Sequence, residues 1–282
     1  MRVRDAAVVG ARLLTTNLDL RESAARDAEL LLLHTLSIER ASLFAYPDRQ
    51  LTPEEQARYD GLVDRRLRSE PIQYILGQQE FYGLLLRVTP AVLIPRPETE
   101  HLVETVLGLL PNDRPLRILD AGTGSGAIAI ALAANLPLAG VTAVDLSPPA
   151  LAVATENARR HDLQERIHFF QSDLLSSVVG QRFDAIVSNP PYIPEMDRQS
   201  LHPQVRDHEP ALALFAGDKG MEVYERLIPQ AHAALEPDGL LALEIGHGQR
   251  EAIAALLSGW TAVSFVDDLQ SIPRVAVAKR SF

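Results

Sequence analysis

Residues 116–132, LRILDAGTGSGAIAIAL, constrain this chain more than any other stretch. An apolar run reads as a buried strand, a glycine turn follows, and an alanine- and isoleucine-rich run reads as a helix. Gly122, Gly124 and Gly126 stand at the turn. Residues without a Cβ permit a tight bend there and let a ligand approach the backbone. The alternation then continues. VTAVDL (141–146), IHFFQSD (167–173), FDAIVSN (183–189) and GLLALEIG (239–246) read as strands. PPALAVATENARRH, MEVYERLIPQAHAALEP (221–237) and REAIAALLS (250–258) read as the helices among them. TAVSFVDD and RVAVAKR read as two closing strands. This order predicts an α/β, Rossmann-like fold, a parallel sheet covered on both faces, and an antiparallel strand suits the short last connection.

Acidic residues end the early strands. Asp145 follows the glycine loop by about 20 residues, where an acid holds ribose hydroxyls in nucleotide-binding folds. Asp173 ends the third strand, in reach of an adenine amino group in a doubly wound sheet. Asp120 either orders the loop or meets the far end of the ligand. Gly122, Gly124 and Ala127 also fit the dinucleotide pattern G-x-G-x-x-G/A, so NAD stays open. A sulfonium nucleoside has no pyrophosphate and needs no helix N-terminus for an anion. The loop with its acids therefore suits S-adenosylmethionine (SAM) better.

The stretch VSNPPYI (187–193) ends the fourth strand, which is expected beside the first at the switch point of the sheet. A residue before proline is pushed into an extended conformation, and proline fixes its own φ. Asn189 thus sits on a stiff backbone. Its side-chain carbonyl and the main-chain carbonyl of Pro190 are two acceptors held close together. Such a pair can grip both hydrogens of an –NH₂ group, aim its lone pair and stabilise positive charge growing on nitrogen. Tyr192 can pack flat on the planar group. No carboxylate or histidine sits in the motif, which predicts proton loss after methyl transfer rather than a strong general base. The –NH₂ group can belong to an amide or to an amino-purine, and the motif alone does not choose.

Charge bears on that choice. The net charge of −10 argues against a broad basic face for nucleic acid. RRLR at 65–68 is basic, but a solvated helix face is the ordinary reading of such a run. No cysteine is present, which removes disulfides, thiol nucleophiles and cysteine-held zinc, and no metal site is expected. A reducing, cytoplasmic location is the default. No apolar run approaches the roughly 20 residues of a membrane span. The start, MRVRDAAVVGARLL, is interrupted by Asp5 and reads as a helix rather than a targeting segment. DAELLLLHTL (27–36) carries an apolar helical stripe, and LTPEEQARYDGLVDRRLRS (51–69) opens with a capping box at Thr52 and Glu55. Short β-prone pieces broken by Gly77, Gly83 and Pro90 then read as a hairpin-like linker over 71–97.

Several segments together carry a family resemblance. EPIQYILG (70–77), FYGLLLRVTPAVLIPRPETEHLVE (81–104), EPALALFAG (209–217) and LEIGHGQ (243–249), with DAGTGSGAIAIAL and NPPY, resemble the HemK/PrmC family of protein-(glutamine-N5) methyltransferases. The likeness runs from about residue 20 to the C-terminus. IPRPETE beside NPPY is its specific part; NPPY is shared with DNA adenine methyltransferases. The resemblance implies a class I SAM-dependent methyltransferase with a seven-stranded sheet, a small N-terminal helical bundle and a β-hairpin between them. We expect residues 1–74 to be a helical substrate-docking domain, 75–97 the hairpin linker and 98–282 the methyltransferase domain. The implied substrate is the glutamine of the Gly-Gly-Gln motif in class 1 peptide-chain release factors, with S-adenosylhomocysteine as the other product. Direct binding of nucleic acid or membrane is not expected. An adenine-N6 methyltransferase on DNA or RNA is the alternative.

Carried onto this chain, the resemblance implies that Gly122, Thr123, Gly124, Ser125, Gly126 and Asp145 bind SAM, with Leu174 beside the adenine. Asp120, Asp173 and Asn189 complete the expected cofactor set. Asn189, Pro190, Pro191 and Tyr192 would hold the glutamine amide, with Asn189, Pro190 and Tyr192 as the catalytic group. Arg96, Pro97 and Glu98 would lie near the cleft, while Arg96 or Glu100 can instead tie the linker to the sheet. The chain departs from the family pattern at Ala121, where leucine is usual, at Asp238, where glycine is preferred, and around GDKGMEVYERL.

Overall fold

A computed structural model describes residues 1–281. The chain divides into two compact units. One is Met1–Gly77 together with Ser200–His208; the other is Gln78–Gln199 together with the segment from Glu209 onward.

The first unit is helical. It contains α1 (Val3–Leu14), α2 (Ala24–Leu36), α3 (Arg40–Ala45), α4 (Pro53–Leu67) and α5 (Ile72–Leu76). Leu14, Leu20, Leu31, Leu32, Tyr59 and Val63 are buried in its core. The capping box opens α4: Thr52 Oγ1 accepts from Glu55 N at 3.2 Å, and Glu55 Oε2 accepts from Thr52 N at 3.0 Å. Gly10 lies inside α1 because the Tyr59 hydroxyl passes there; a Cβ at Gly10 would sit 2.1 Å from it. That hydroxyl reaches the carbonyls of Ala6 and Ala28, tying α4 to α1 and α2. Arg66 and Asp27 form an ion pair at 2.7 Å, with both side chains 5% exposed. Ser200–His208 joins this unit through His202 to the Asp19 carbonyl and His208 to the Arg68 carbonyl.

The β-prone reading of residues 72–76 is corrected by the structure. They form α5, stopped by Gly77 at φ 74°. Apolar residues in so short a run fit either period, and packing decides for helix.

The second unit opens with a hairpin, β1 (Gln78–Phe81) and β2 (Leu84–Arg87). Tyr82 and Gly83 both have positive φ, as a two-residue turn of this hand requires. Helix α6 (Pro97–Leu109) leads into a mixed sheet of seven strands, β3 (Leu116–Ala121), β4 (Ala139–Asp145), β5 (Ile167–Gln171), β6 (Phe183–Ser188), β7 (Leu235–Glu244), β8 (Thr261–Asp267) and β9 (Pro273–Lys279). Helix α7 (Ala127–Asn135) joins β3 to β4, and α8 (Pro148–Arg160) joins β4 to β5.

The spatial order is β5-β4-β3-β6-β7-β9-β8. Strands β3 to β7 run parallel, and β9 pairs antiparallel with both β7 and β8. Inward residues alternate between two cores. Ile118 joins Leu102, Val106 and Ile130 on one face; Leu119 and Ala121 join Leu227, Ile228 and Ile253 on the other. The helices on this second face are Glu222–Ala234 and Arg250–Leu256. The order reverses between β3 and β6, so the carboxyl ends of these two strands border the crevice where open α/β sheets bind ligands. Asn157 of α8 fastens the hairpin to the glycine loop, accepting from Arg87 N and donating to the carbonyls of Arg87 and Ser125.

Among the described residues no helix is long and apolar enough to cross a membrane.

The buried ion pair predicts a local weakness. Arg66→Met leaves the Asp27 carboxylate buried without its partner and costs about 3 kcal/mol. Hydrogen exchange of the α2 and α4 amides in the intact chain measures it. Replacing Asp27 by leucine as well should recover most of the loss.

Candidate active site

The glycine loop turns from β3 into α7. Gly122 and Thr123 donate to the Val144 carbonyl at 2.8 and 3.0 Å, so the loop leans on the end of β4. All three glycines have positive φ, 74° at Gly122, 54° at Gly124 and 83° at Gly126. Their reasons differ. A Cβ on Gly122 or Gly124 would meet nothing within 4 Å, and both residues line a cleft. A Cβ on Gly126 would press on Ile130 and Ala154 at 3.1–3.3 Å, so that glycine serves the packing of α7 on α8. Thr123 and Ser125 are buried within the loop.

Asp120 lies beneath the loop, fully buried. Its Oδ2 accepts from Thr123 Oγ1 at 2.6 Å and from Ala129 N at 3.2 Å, while Oδ1 has no hydrogen-bond partner. The Ala129 bond places a carboxylate at the N-terminus of α7, a favourable end for negative charge. Burial still dominates and pushes this carboxyl up to about 7. Its two bonds order the glycine loop from beneath.

Asp145 stands at the cleft wall. Oδ2 accepts from Gly124 N and Oδ1 from Ser147 N, both at 2.8 Å. Burial raises its pKa above the usual carboxylate range, against the pull of these backbone donors. Each oxygen keeps a second lone pair for a ligand hydroxyl. Past β5, Asp173 and Leu174 also line the cleft. Asp173 lies two residues beyond the strand, exposed, and pairs with Arg226 at 2.6 Å. Leu174 is held at φ 50°, a left-handed conformation costly for a branched side chain.

The Asn-Pro-Pro-Tyr motif enters from β6. Asn189 and Pro191 line the cleft, and Pro190 is buried behind them. Asn189 Nδ2 donates to Thr99 Oγ1 at 3.0 Å, which leaves Oδ1 as the amide atom available to a ligand. Tyr192 is turned off the cleft wall. Its hydroxyl points at Glu244 Oε1 across 3.5 Å, and burial pushes its pKa up. Gln249 Nε2 donates to the carbonyls of Tyr192 and Gly220, and its Oε1 accepts from Gly246 N. Gly220 and Gly246 make room for this: a Cβ would lie 2.3 Å from the Tyr192 carbonyl at the one and 2.9 Å from its ring at the other. Gln249 therefore ties the motif's backbone at Tyr192 to Gly220 and Gly246.

The remaining wall was missed by sequence reasoning. Val92 and Leu93, with Leu212 and Phe215, close the apolar side of a cleft of about 250 Å³. Glu209 joins these segments, since its buried carboxylate accepts from Ile94 N and pairs with Arg96. Residues 214–217 are in turn stitched to 193–195 by three backbone bonds. Arg96 thus ties the linker to the cleft wall, and Glu100 does the same for the hairpin by accepting from Tyr82 N. Glu209 in EPALALF and Arg96 in IPRPE are opposite charges, but nothing in the sequence paired residues 113 positions apart.

Known proteins match this arrangement. Residues 11–77 match the PrmC N-terminal domain, and residues 99–204 match the methyltransferase small domain. The release factor glutamine methyltransferase of Koribacter versatilis is 50% identical over 254 residues, 90% of either chain. That of Escherichia coli is 44% identical over 266 residues, 94% of this chain and 95% of its own. The chain belongs to the release factor glutamine methyltransferase family. Solved structures share the fold at lower identity. The catalytic domain of hMettl16, in complex with an RNA hairpin of MAT2A, has a TM-score of 0.57 at 18% identity and covers 86% of this chain and 93% of its own. The T. thermophilus 16S rRNA methyltransferase RsmC, in complex with AdoMet and guanosine, has a TM-score of 0.54 at 21% identity. It covers 72% of this chain and 49% of its own.

The buried Asp120 predicts a pH dependence of stability. Its folded pKa of about 7 lies above the ordinary 3.8, so the folded chain holds this proton more tightly. The stabilisation is complete below about pH 4 and is lost as pH rises through 7, with a slope approaching about 1.4 kcal/mol per pH unit. Asp120→Asn keeps an acceptor for Thr123 but cannot ionise. Its unfolding free energy relative to wild type should therefore rise between pH 5 and pH 8. A gap independent of pH would contradict the assignment.

Proposed function

We propose that this chain methylates the side-chain amide nitrogen of the glutamine in the Gly-Gly-Gln motif of class 1 release factors, using SAM and leaving S-adenosylhomocysteine. The observation that carries the reading is the Asn189 amide. With its –NH₂ held by Thr99, its oxygen remains for the cleft, beside the glycine loop. Among the described residues no hydrogen bond reaches Asn189 Oδ1 or the Pro190 carbonyl. Asn189, which lines the cleft, can thus take one hydrogen of a substrate amide, and the unpartnered Pro190 carbonyl next to it would take the other.

The residues present fit SAM. Gly122 and Gly124 open their Cβ positions to the cleft, Asp145 offers lone pairs to a ribose diol, and apolar Leu146 and Leu174 suit an adenine face. The helix N-terminus that a dinucleotide's pyrophosphate would take already carries Asp120. That supports SAM over NAD. When bound, SAM supplies a methyl carbon on positively charged sulfur.

The chain's own work is to position the nitrogen. Amide nitrogen is a weak nucleophile because its lone pair is delocalised. Acceptors at both N–H bonds aim that lone pair and stabilise positive charge as it develops. Held by Asn189 Oδ1 and the Pro190 carbonyl, the nitrogen would take the methyl group from the sulfonium sulfur, which would keep the bonding pair, and would release one proton. Clamping by Gln249 keeps the motif in place throughout. We place this activity in the cytoplasm, with the helical first unit as the region that docks the protein substrate and without direct binding of nucleic acid. An adenine amino group offers the same two hydrogens; the relatives' names favour the glutamine.

Two variants separate cofactor binding from transfer. Asn189→Ala should lose roughly 10²-fold or more in kcat, as loss of a preorganised hydrogen-bonding group does, with a far smaller change in SAM affinity by calorimetry. Asp145→Ala should weaken SAM binding about 10- to 100-fold, the worth of a hydrogen bond to a charged group. Full activity in Asn189→Ala would sink the two-acceptor mechanism. Labelled methyl entering DNA or RNA, and not a release factor, would overturn the substrate.

A further inference from the structure

Two buried polar residues behind the motif touch its side chains. Thr99 is the third residue of α6 and Glu244 the last of β7; both are buried. The parallel register explains their meeting place. Ser188 pairs with Leu243, so the next residues, Asn189 and Glu244, leave neighbouring strand ends side by side. Thr99 comes down from α6 upon Asn189.

We propose that Thr99 and Glu244 are positioning residues that force the Asn189 amide to present its oxygen, and not its –NH₂, to the substrate. The proposal rests on the glutamine-methylation reading and adds what orients its central acceptor. An asparagine amide has two ends of nearly equal shape and opposite polarity. Rotated by half a turn, Asn189 would offer donors to a substrate –NH₂ and repel it. A hydroxyl has one proton and can bond either end. The carboxylate beyond it breaks that symmetry. Thr99 is the hydroxyl that favours the ionised form of this carboxyl. As an acceptor only, the carboxylate would draw the Thr99 proton and leave the Thr99 oxygen facing Asn189, where only Nδ2 can bond. Tyr192 sends its own hydroxyl proton to the same carboxylate. The direction of donation is thus fixed along both arms, from Asn189 through Thr99 and from Tyr192, and bonds aligned head to tail reinforce one another.

The surroundings of Glu244 agree. Its main-chain carbonyl accepts from the Tyr224 hydroxyl at 2.8 Å, which fixes the residue. Oε2 makes no hydrogen bond of ordinary geometry, so acceptor capacity is left over. Burial above all, with Glu98 adding to it, outweighs the pull of Thr99, Arg274 and Tyr192 and leaves its pKa raised to about 7. Losing the charge would let a protonated Glu244 donate toward Thr99, whose proton could then turn to Asn189 and select the wrong amide end. The active polarity is accordingly the one found above neutral pH.

The test uses the full chain, SAM and a release factor. Thr99→Val keeps the volume and removes the hydroxyl; Thr99→Ser restores it. Thr99→Val should lose roughly 10²-fold in kcat, the scale of a misplaced catalytic group, with the SAM dissociation constant changed by less than about threefold. Thr99→Ser should recover most of that loss. In wild type kcat should fall as pH drops through 7, and Glu244→Gln should lower kcat and abolish that limb. If Glu244→Gln does not fold, the Thr99 pair decides alone. An active wild type with undiminished kcat in Thr99→Val sinks the inference. So does Thr99→Ser behaving no better than Thr99→Val. A wild type that methylates no release factor sinks the glutamine reading itself, and the inference with it.

Discussion

The Ser188 hydroxyl donates to the Ala121 carbonyl at 2.6 Å, between the ends of β6 and β3. Each partner directly precedes a motif: Gly122 follows one and Asn189 follows the other. Strand pairing sets the same register, since Ala121 is opposite Ser188. A one-residue slip would turn every side chain of β6 to the other face and carry Asn189 away from the glycine loop. Everything proposed for the cleft depends on this alignment of two segments 67 residues apart in sequence.

Around that seam the chain spends stability on polarity. Asp120 and Glu244 are buried carboxyl groups pushed to about 7, each with an oxygen that lacks a partner. A core built for stability alone would hold neither, because unpaired buried polar atoms are costly. Their placement explains the cost. Asp120 occupies the start of α7 and shapes the loop from below. Glu244 accepts from the Tyr192 hydroxyl at the far side of the motif. The clamp on Tyr192 works alongside: Gln249 bonds its carbonyl, and Gly220 and Gly246 permit the approach. Rigid backbone and directed hydrogen bonds together make a weak nucleophile's geometry reproducible.

Much of this was legible in the sequence, for local reasons. The β3 run, the glycine loop and α7 announce themselves because strand, turn and helix chemistry are contiguous there. The capping box at Thr52 is equally local. Asp238 stands where the family prefers glycine, and it adopts φ 61°, a left-handed turn that asparagine-like residues tolerate. The sequence extended the last long helix to residue 237, but Leu235 already begins β7 beside Phe183. Pairing with β6 overrode the helical pattern there. Less legible was anything that required distant partners. Glu209 with Arg96, Gln249 with Tyr192, and Thr99 with Asn189 join residues between 57 and 113 positions apart. Even the motif's reading was sharpened this way. From sequence Tyr192 was expected to pack on the substrate; its hydroxyl contact with Glu244 could not be read there.

The cleft's function turns on whether the two acceptors after β6 hold a glutamine amide for methylation. Mass spectrometry of the Gly-Gly-Gln peptide, taken from a release factor incubated with this chain and SAM, tests it most directly. The account predicts one added methyl group, located on the side-chain nitrogen of that glutamine. An unmodified glutamine, or a methyl group on any other residue of the peptide, would contradict it.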